Sequence, residues 1–180
     1  EIFGFLGPNG ASTSRSRKML ATILNPRIGE ARVNGYDIVR QRDEVRKNLG
    51  IVFQDPSSDT FLTGKDNLHY HGVVYHMSKK KREERISGVL DLLDLKGKEN
   101  IPLKECSGGV QRRFEVARGF MTHPKLLFLD EPTIGLDIKA RKTLWNYITR
   151  LRDNEGVTIL LTTHYIEEAD YLCDRVSIID

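Results

Sequence analysis

The chain has 180 residues, 39% hydrophobic and 29% charged, which is typical of a globular domain with a sizeable core. Its formal net charge of +3 is too small to indicate a nucleic-acid-binding surface, and no apolar run reaches the ~18 residues of a membrane-spanning helix. Cys106 and Cys173 lie far apart in the sequence and predict no disulfide framework. Because the chain begins without Met and inside a predicted strand, we expect it to be a fragment.

The first predicted element is a strand over residues 1–6, followed by a loop with two glycines and then by apolar residues at helical spacing. This order is typical of a phosphate-binding loop, in which backbone N–H groups and the helix N-terminus face an anion. The pattern of that loop is Gly, any four residues, Gly-Lys, and then Ser or Thr. Gly7 and Ser14 match it, whereas Ser12 replaces the second Gly and Thr13 replaces the Lys.

The replacement of the Lys removes a mobile cation, because Thr13 offers only a hydroxyl. A charge-assisted hydrogen bond contributes roughly 1.5–3 kcal/mol, and a preorganised charge that stabilises a transition state changes the rate roughly a hundred- to thousandfold. Arg17 lies at i+4 from Thr13 on the predicted helix and shares its face. Arg17 is also three residues before Leu20, on the apolar stripe, so the sequence leaves open whether it extends toward an anion.

Residues 49–53 form an apolar run that predicts a strand ending at Gln54. Gln54 is either an ordinary loop residue or, if the loop is a hinge, an amide that reaches both a metal ion and a water. Further on, Ser78 predicts the N-cap of a charged helix, with residues 79–85 on its solvated face. The apolar stripe of this helix comprises Ile86, Val89, Leu90 and Leu93. The spacing of the histidines that precede it does not favour a metal site; they are His69, His71 and His76.

A second glycine-rich segment comprises Ser107, Gly108 and Gly109, and it is followed by Gln111 and a stretch of apolar residues at helical spacing. A Ser at the N-cap before two glycines predicts a second helix start that binds an anion. The alternative is a flexible cap before an ordinary amphipathic helix. The apolar stripe of this helix comprises Val110, Phe114, Ala117 and Met121.

Two adjacent carboxylates, Asp130 and Glu131, end the apolar run 126–129, which predicts a strand buried on both faces. A buried parallel strand delivers its last side chains to the edge of the sheet where open α/β folds bind ligands. Adjacent residues point to opposite sides of the chain, so one carboxylate could address a metal ion and the other a nucleophile. The alternative is an acidic N-cap for the next helix.

A second buried strand, residues 157–162, brings Thr163 and His164 to its carboxyl end, as the earlier strands bring Gln54 and the two carboxylates. This shared position favours a catalytic interpretation of His164 over a structural one. Strands that alternate with helices indicate a parallel sheet with helices around it.

These pieces, in this order, resemble the ATP-binding subunit of ABC transporters, of a drug-export type similar to daunorubicin-resistance subunits. The resemblance covers nearly all of the chain. It implies an α/β fold with a P-loop NTPase-like parallel-sheet core over about residues 1–55 and 123–180, flanked by helices. It also implies an inserted helical subdomain, carrying the signature motif, over about residues 56–122.

The resemblance implies a role for each motif. Glu131 would be the general base, His164 the switch histidine at the γ-phosphate, and Gln54 the Q-loop glutamine. Asp137 would couple the two halves of a dimer. The residues that would bind nucleotide are Gly7, Pro8, Asn9, Gly10, Ala11, Ser12, Thr13, Ser14 and Arg15. The signature residues, which would close on the ATP of a partner subunit, are Ser107, Gly108, Gly109 and Gln111.

The implied cofactors are ATP and Mg²⁺, the latter held by Ser14 and Gln54, with Asp130 acting through water. The implied partners are a second nucleotide-binding subunit, in a homodimer or heterodimer, and a membrane-spanning permease, with no nucleic acid. The implied location is cytoplasmic, peripheral at the inner face of the cell membrane.

Three departures from the family pattern bear on activity. Ser12 and Thr13 stand at the family's Gly and Lys positions; Cys106 and Val110 depart from the usual signature termini; and the adenine-stacking aromatic residue is expected upstream of the first strand. The sequence therefore leaves open an ATPase that drives export and a catalytically impaired module of the same fold. A protein of this family that acts on nucleic acid or ribosomes usually carries two cassettes or long insertions, and neither is seen here.

Overall fold

A computed structural model describes residues 1–6 and 13–178. The strands are β1 (Ile2–Leu6), β2 (Arg32–Val33), β3 (Tyr36–Asp37), β4 (Leu49–Val52), β5 (Leu126–Asp130), β6 (Thr158–Thr163) and β7 (Arg175–Ile178). The helices are α1 (Thr13–Leu20), α2 (Arg42–Lys47), α3 (Gly64–Val74), α4 (Lys79–Leu92), α5 (Gly108–Gly119), α6 (Ile138–Glu155) and α7 (Ile166–Leu172). A short 3₁₀ turn at Leu103–Glu105 precedes α5.

The main sheet of the described residues has five strands in the order β4-β5-β6-β1-β7. β1 pairs in parallel with β6 and β7, and β5 pairs in parallel with β6. In this register Asp130 lies opposite Thr162, so the last residues of β5 and β6 reach the same edge of the sheet. The predicted parallel sheet with helices around it is confirmed.

β5 lies in the interior of the sheet, and three consecutive residues of it are buried. Leu127, Phe128 and Leu129 of β5 are at most 3% exposed, so both faces of the strand are covered. Ile159 and Leu161 of β6 are fully buried, as is Ile2 of β1. Asp130, the last residue of β5, is the first polar residue after the buried run of that strand.

The described residues group into two compact units. One unit comprises Glu1–Ile51, His123–Glu131 and Thr149–Asp180, and it contains the main sheet apart from Val52. The other comprises Val52–Thr122 and Pro132–Ile148, and it contains α3, α4, α5 and the first part of α6.

In the second unit, helix caps and apolar stripes define the helices. The Thr63 hydroxyl accepts a hydrogen bond from the Asp66 N–H at 3.1 Å and so caps α3, and Ser78 is the N-cap of α4. Both predicted apolar stripes are buried as expected: Ile86, Val89, Leu90 and Leu93 on α4, and Val110, Phe114, Ala117 and Met121 on α5 and its end.

The charged run on α4 differs from its predicted solvated role at two positions. The Arg82 guanidinium donates to His69 Nδ1 at 3.3 Å and to the Met77 carbonyl at 3.0 Å. Arg85 donates to the carbonyls of Phe120 and Met121. These two arginines donate to carbonyl groups that the ends of helices and loops leave without partners. Such contacts depend on the tertiary structure, so the local sequence pattern does not predict them.

Candidate functional site

The two predicted carboxylates lie at the carboxyl end of β5, and each has its own partner. Asp130 is half-buried, and its Oδ1 accepts a hydrogen bond from the Thr162 hydroxyl at 2.7 Å. Because Thr162 lies opposite Asp130 in the strand register, the neighbouring strand fixes the orientation of this carboxylate. Oxygen donors of this kind suit a hard cation such as Mg²⁺ or its bound water.

Glu131 adopts an unusual backbone conformation directly after β5. Its φ is +50°, in the left-handed region that residues other than Gly rarely occupy. Its N–H donates to the Thr162 carbonyl at 3.0 Å, which holds the turn against β6. Backbone strain of this kind costs about 1–3 kcal/mol and clusters at functional sites. Here it aims a carboxylate that is only 5% exposed.

His164 lies beside Glu131, as the shared position at the strand ends predicts. His164 Nδ1 is 2.8 Å from Glu131 Oε2, and the imidazole is 41% exposed. The turn that carries it is ordered by the Tyr165 N–H, which donates to the Thr163 hydroxyl at 3.0 Å. One face of the imidazole lies 4.0 Å, centroid to centroid, from the Tyr165 ring. The pair thus joins a buried carboxylate to a solvent-facing imidazole.

The surroundings of Glu131 raise its pKa above the ordinary value. Burial is the main cause; hydrogen bonding to His164 acts in the opposite direction, and the negative charges of Glu168 and Asp130 add to the rise. A carboxylate with a raised pKa is a stronger base than an exposed one. This carboxylate therefore combines burial, an ordered partner and proton affinity, which are the properties of a general base.

The predicted phosphate-binding loop falls mostly outside the described residues. This applies to Gly7, Pro8, Asn9, Gly10, Ala11 and Ser12, and to the side chains of Thr13, Ser14 and Arg17. α1 begins at Thr13, and the side chain of Arg15 is exposed. The roles of these residues stay predictions.

The signature segment lies at the start of α5 in the second unit. Ser107 is the N-cap residue, with extended φ and ψ, but its hydroxyl makes no capping hydrogen bond. The helix then begins at Gly108, so the first N–H groups stand where a helix presents them to an anion. The amide nitrogen of Gln111 donates to the carbonyls of Leu103 and Cys106, at 2.8 and 3.1 Å, and thereby holds the preceding turn.

Gln54 and Asp137 also lie in the second unit, Gln54 shortly after β4 and Asp137 directly before α6. Gln54 is exposed, and its carbonyl lies 3.3 Å from Arg112 Nη1. Asp137 is exposed and caps α6, since its Oδ1 accepts from the Ala140 N–H at 2.9 Å. That hydrogen bond lowers the pKa of Asp137 below its ordinary value.

Sequence reasoning missed two residues of this site. Thr162 was treated only as part of a strand, although placing the two apolar runs side by side would have set it opposite Asp130. Arg112 follows Gln111 at the start of a helix, next to another arginine, yet it is only 7% exposed and donates to backbone carbonyls. No signal in the sequence distinguishes it from its neighbour Arg113.

Comparison with known proteins identifies the fold and the family. The sequence profile described as "ABC transporter" matches residues 1–134. The chain belongs to the ABC transporter family. Its fold matches the ATP-binding cassette MJ0796, solved as a post-hydrolysis dimer with ADP and Pi, with a TM-score of 0.90 and 25% identity over 100% of this chain and 81% of that one.

Curated relatives refine the family placement. The chain is 42% identical to the daunorubicin/doxorubicin resistance ATP-binding protein DrrA of Streptomyces peucetius, over 99% of this chain and 54% of the relative. It is 39% identical to the Nod factor export ATP-binding protein I of Rhizobium johnstonii, over 100% of this chain and 58% of the relative. The chain thus spans little more than half the length of these relatives. The predicted resemblance to drug-export ATP-binding subunits is confirmed.

Across the part of the chain that the structure describes, every helix is too short or too polar to cross a lipid bilayer.

Proposed function

We propose that this chain is the ATP-binding part of an ABC exporter, and that it hydrolyses ATP to drive transport through a separate membrane subunit. The observation that carries the proposal is the buried Glu131 carboxylate, 2.8 Å from His164 at the carboxyl end of β5. The names of the relatives, which refer to drug resistance and to Nod factor export, support the export role.

In the proposed reaction a water attacks the γ-phosphorus of ATP and the Glu131 carboxylate accepts its proton, while the bond from that phosphorus to the bridging oxygen breaks and ADP leaves. Phosphoryl transfer depends mostly on positioning and on electrostatic stabilisation, so the protein must hold the water in line with the leaving group. Glu131 suits this role because its backbone turn and its contact with His164 fix the carboxylate. His164, whose imidazole faces solvent, would then contact the γ-phosphate.

Magnesium would neutralise the charge that develops on the phosphates. The oxygen donors of this chain fit the ion, since Asp130 presents an ordered carboxylate at the strand end. We propose that Asp130 acts through a bound water and that Ser14 and Gln54 supply direct ligands. Residues 7–15 would bind the nucleotide phosphates.

The start of α5 would be a second binding site for ATP phosphates, besides residues 7–15. Because one bound ATP does not need two phosphate sites of the same chain, the second site suits the ATP of another chain. We propose that Ser107, Gly108 and Gly109 close on ATP held by a second cassette, with Asp137 between the two. The dimeric state of the related cassette MJ0796 supports this arrangement. The dimer would lie against a permease at the cytoplasmic face of the membrane.

The test compares steady-state phosphate release from Mg-ATP by the parent chain and by the double variant Ser12→Gly, Thr13→Lys. We expect turnover by the parent and faster turnover by the double variant, because a Lys at position 13 supplies a cation to the phosphates. Turnover by the double variant alone would show a cassette whose own nucleotide site is disabled. Absence of turnover in both would overturn the proposal.

A further inference from the structure

Arg112 is a buried arginine whose guanidinium connects two separate backbone segments of the second unit. Its Nη1 lies 2.6 Å from the Phe53 carbonyl and 3.3 Å from the Gln54 carbonyl. Its Nε lies 3.3 Å from the Pro132 carbonyl. The residue as a whole is 7% exposed. One side chain therefore holds the segment around Gln54 and the segment that directly follows Glu131 in the chain.

A second set of contacts fixes the Gln54 segment to the same helix. The Glu115 carboxylate accepts from the N–H groups of Ser57 and Ser58, at 3.0 and 2.6 Å, and Arg118 donates to the Ser57 carbonyl at 2.8 Å. Burial alone would raise the pKa of Glu115, but these hydrogen bonds and the charge of Arg118 outweigh it, so its pKa is lowered. The loop after Gln54 is thus held to α5 by charged groups.

The segment after Pro132 also approaches α5 closely. A Cβ built on Gly109 would lie 3.5 Å from the Gly135 carbonyl oxygen, which is ordinary contact distance. Thr133 in the same segment is fully buried. The helix that begins with the signature residues therefore carries both segments on one side, and Arg112 bonds to each of them.

We propose that Arg112 is a positioning residue for ATP hydrolysis, one that makes the Gln54 loop and the loop after Glu131 move together with the signature helix. The proposal rests on the proposed function. Burying a cation is costly unless its hydrogen bonds are made, so a guanidinium at this place needs all of its acceptors. Arg suits the role because its N–H groups form a planar fork, whereas a Lys ammonium is a single point donor.

The experiment combines hydrogen–deuterium exchange with steady-state ATPase kinetics in Arg112→Gln and Arg112→Lys. The matched control is Arg85→Gln, because Arg85 also donates to two backbone carbonyls in the same unit, but at the other end of α5. Thermal unfolding shows whether each variant is folded. Exchange is followed in peptides that cover residues 53–58 and 132–136.

We expect exchange in both peptides to be about tenfold faster in Arg112→Gln, to rise less in Arg112→Lys, and to stay at the parental rate in Arg85→Gln. We also expect kcat to fall about tenfold while KM for ATP changes less than about threefold, since misplacement of a catalytic group lowers kcat more than it weakens substrate binding.

Unchanged exchange in the two peptides would overturn the proposal, and so would faster exchange spread equally over α3 and α4, because that marks a general loss of stability. Faster exchange confined to the two peptides, together with a parental kcat in Arg112→Gln, would also overturn the positioning role. If the parent chain hydrolyses no ATP, the proposed function fails by itself. The exchange comparison then still decides whether Arg112 holds the two segments together.

Discussion

Gly64, the first residue of α3, faces the Phe114 ring of α5 so closely that any larger residue must displace it. A Cβ built on Gly64 would lie 2.2, 2.3 and 2.7 Å from three carbons of that ring. Carbon atoms pack at about 3.5–4.0 Å, so the shortfall exceeds 1 Å. Phe114 is 1% exposed, so its ring cannot move out into solvent without losing its packing in the core. We expect Gly64→Ala to destabilise the protein.

The expected cost of Gly64→Ala is about 3 kcal/mol, at the upper end of the range for overpacked cores. For a chain of this size that corresponds to a fall in Tm of about 6–12 °C. The assay is thermal unfolding followed by circular dichroism. The matched control is Gly88→Ala on α4, where a Cβ meets nothing within 4 Å. There the helix gains about 0.5–1 kcal/mol from the loss of glycine's flexibility.

A Gly64→Ala variant whose Tm stays within about 2 °C of the parent would refute this reasoning, because it would mean that the ring of Phe114 does not pack against Gly64. A fall of equal size in Gly88→Ala would refute it too, since a Cβ at Gly88 meets nothing within 4 Å.

Three further predictions concern titration and the metal. Burial, aided by the charge of Arg118, lowers the pKa of His71 to about 4. Because the unfolded chain then binds a proton at His71 more readily than the folded chain, the free energy of unfolding should fall by up to about 3 kcal/mol as pH drops from 6.5 toward 4. Denaturant titrations at several pH values should show a smaller fall in His71→Gln. The pKa of Glu131 is raised above 4.5, so the folded chain binds the carboxyl proton more tightly than the unfolded chain does, and stability should fall as pH rises from 4.5 through the raised pKa. Glu131→Gln should remove this fall in stability. The same dependence of stability on pH in the variant as in the parent would contradict the prediction. Thr162→Val leaves Asp130 without its hydroxyl donor and should raise the apparent Mg²⁺ constant for ATP hydrolysis about tenfold, measured by magnesium titration.

The sequence predicts most of the fold because its signals are local. The run 126–129 is apolar at four consecutive positions, which is typical of a strand covered on both faces, and Leu127, Phe128 and Leu129 are buried as expected. The stripes on α4 and α5 follow from the helical repeat alone. The same reasoning correctly placed Asp130 at the edge of the sheet.

The parts that sequence reasoning missed depend on contacts between distant residues. Arg85 and Arg112 look like solvated charges, yet each donates to carbonyls that are 20 or more residues away in the chain. The positive φ of Glu131 has no local sequence signal either, and the N–H of that residue bonds to Thr162, 31 positions away in the chain. Loop geometry of this kind is fixed by tertiary structure, and one sequence does not record it.

The most direct measurement is kcat for ATP hydrolysis in Glu131→Gln and in the matched control Glu155→Gln. Glu155 forms a His–carboxylate pair of the same length, 2.8 Å to His123, in the same unit, but it is 37% exposed at the surface. If Glu131 is the base, its variant loses at least about a hundredfold in kcat while Glu155→Gln keeps the parental rate. The Ser12→Gly, Thr13→Lys background serves if the parent rate is low. A Glu131→Gln chain that hydrolyses ATP at the parental rate would contradict the assignment.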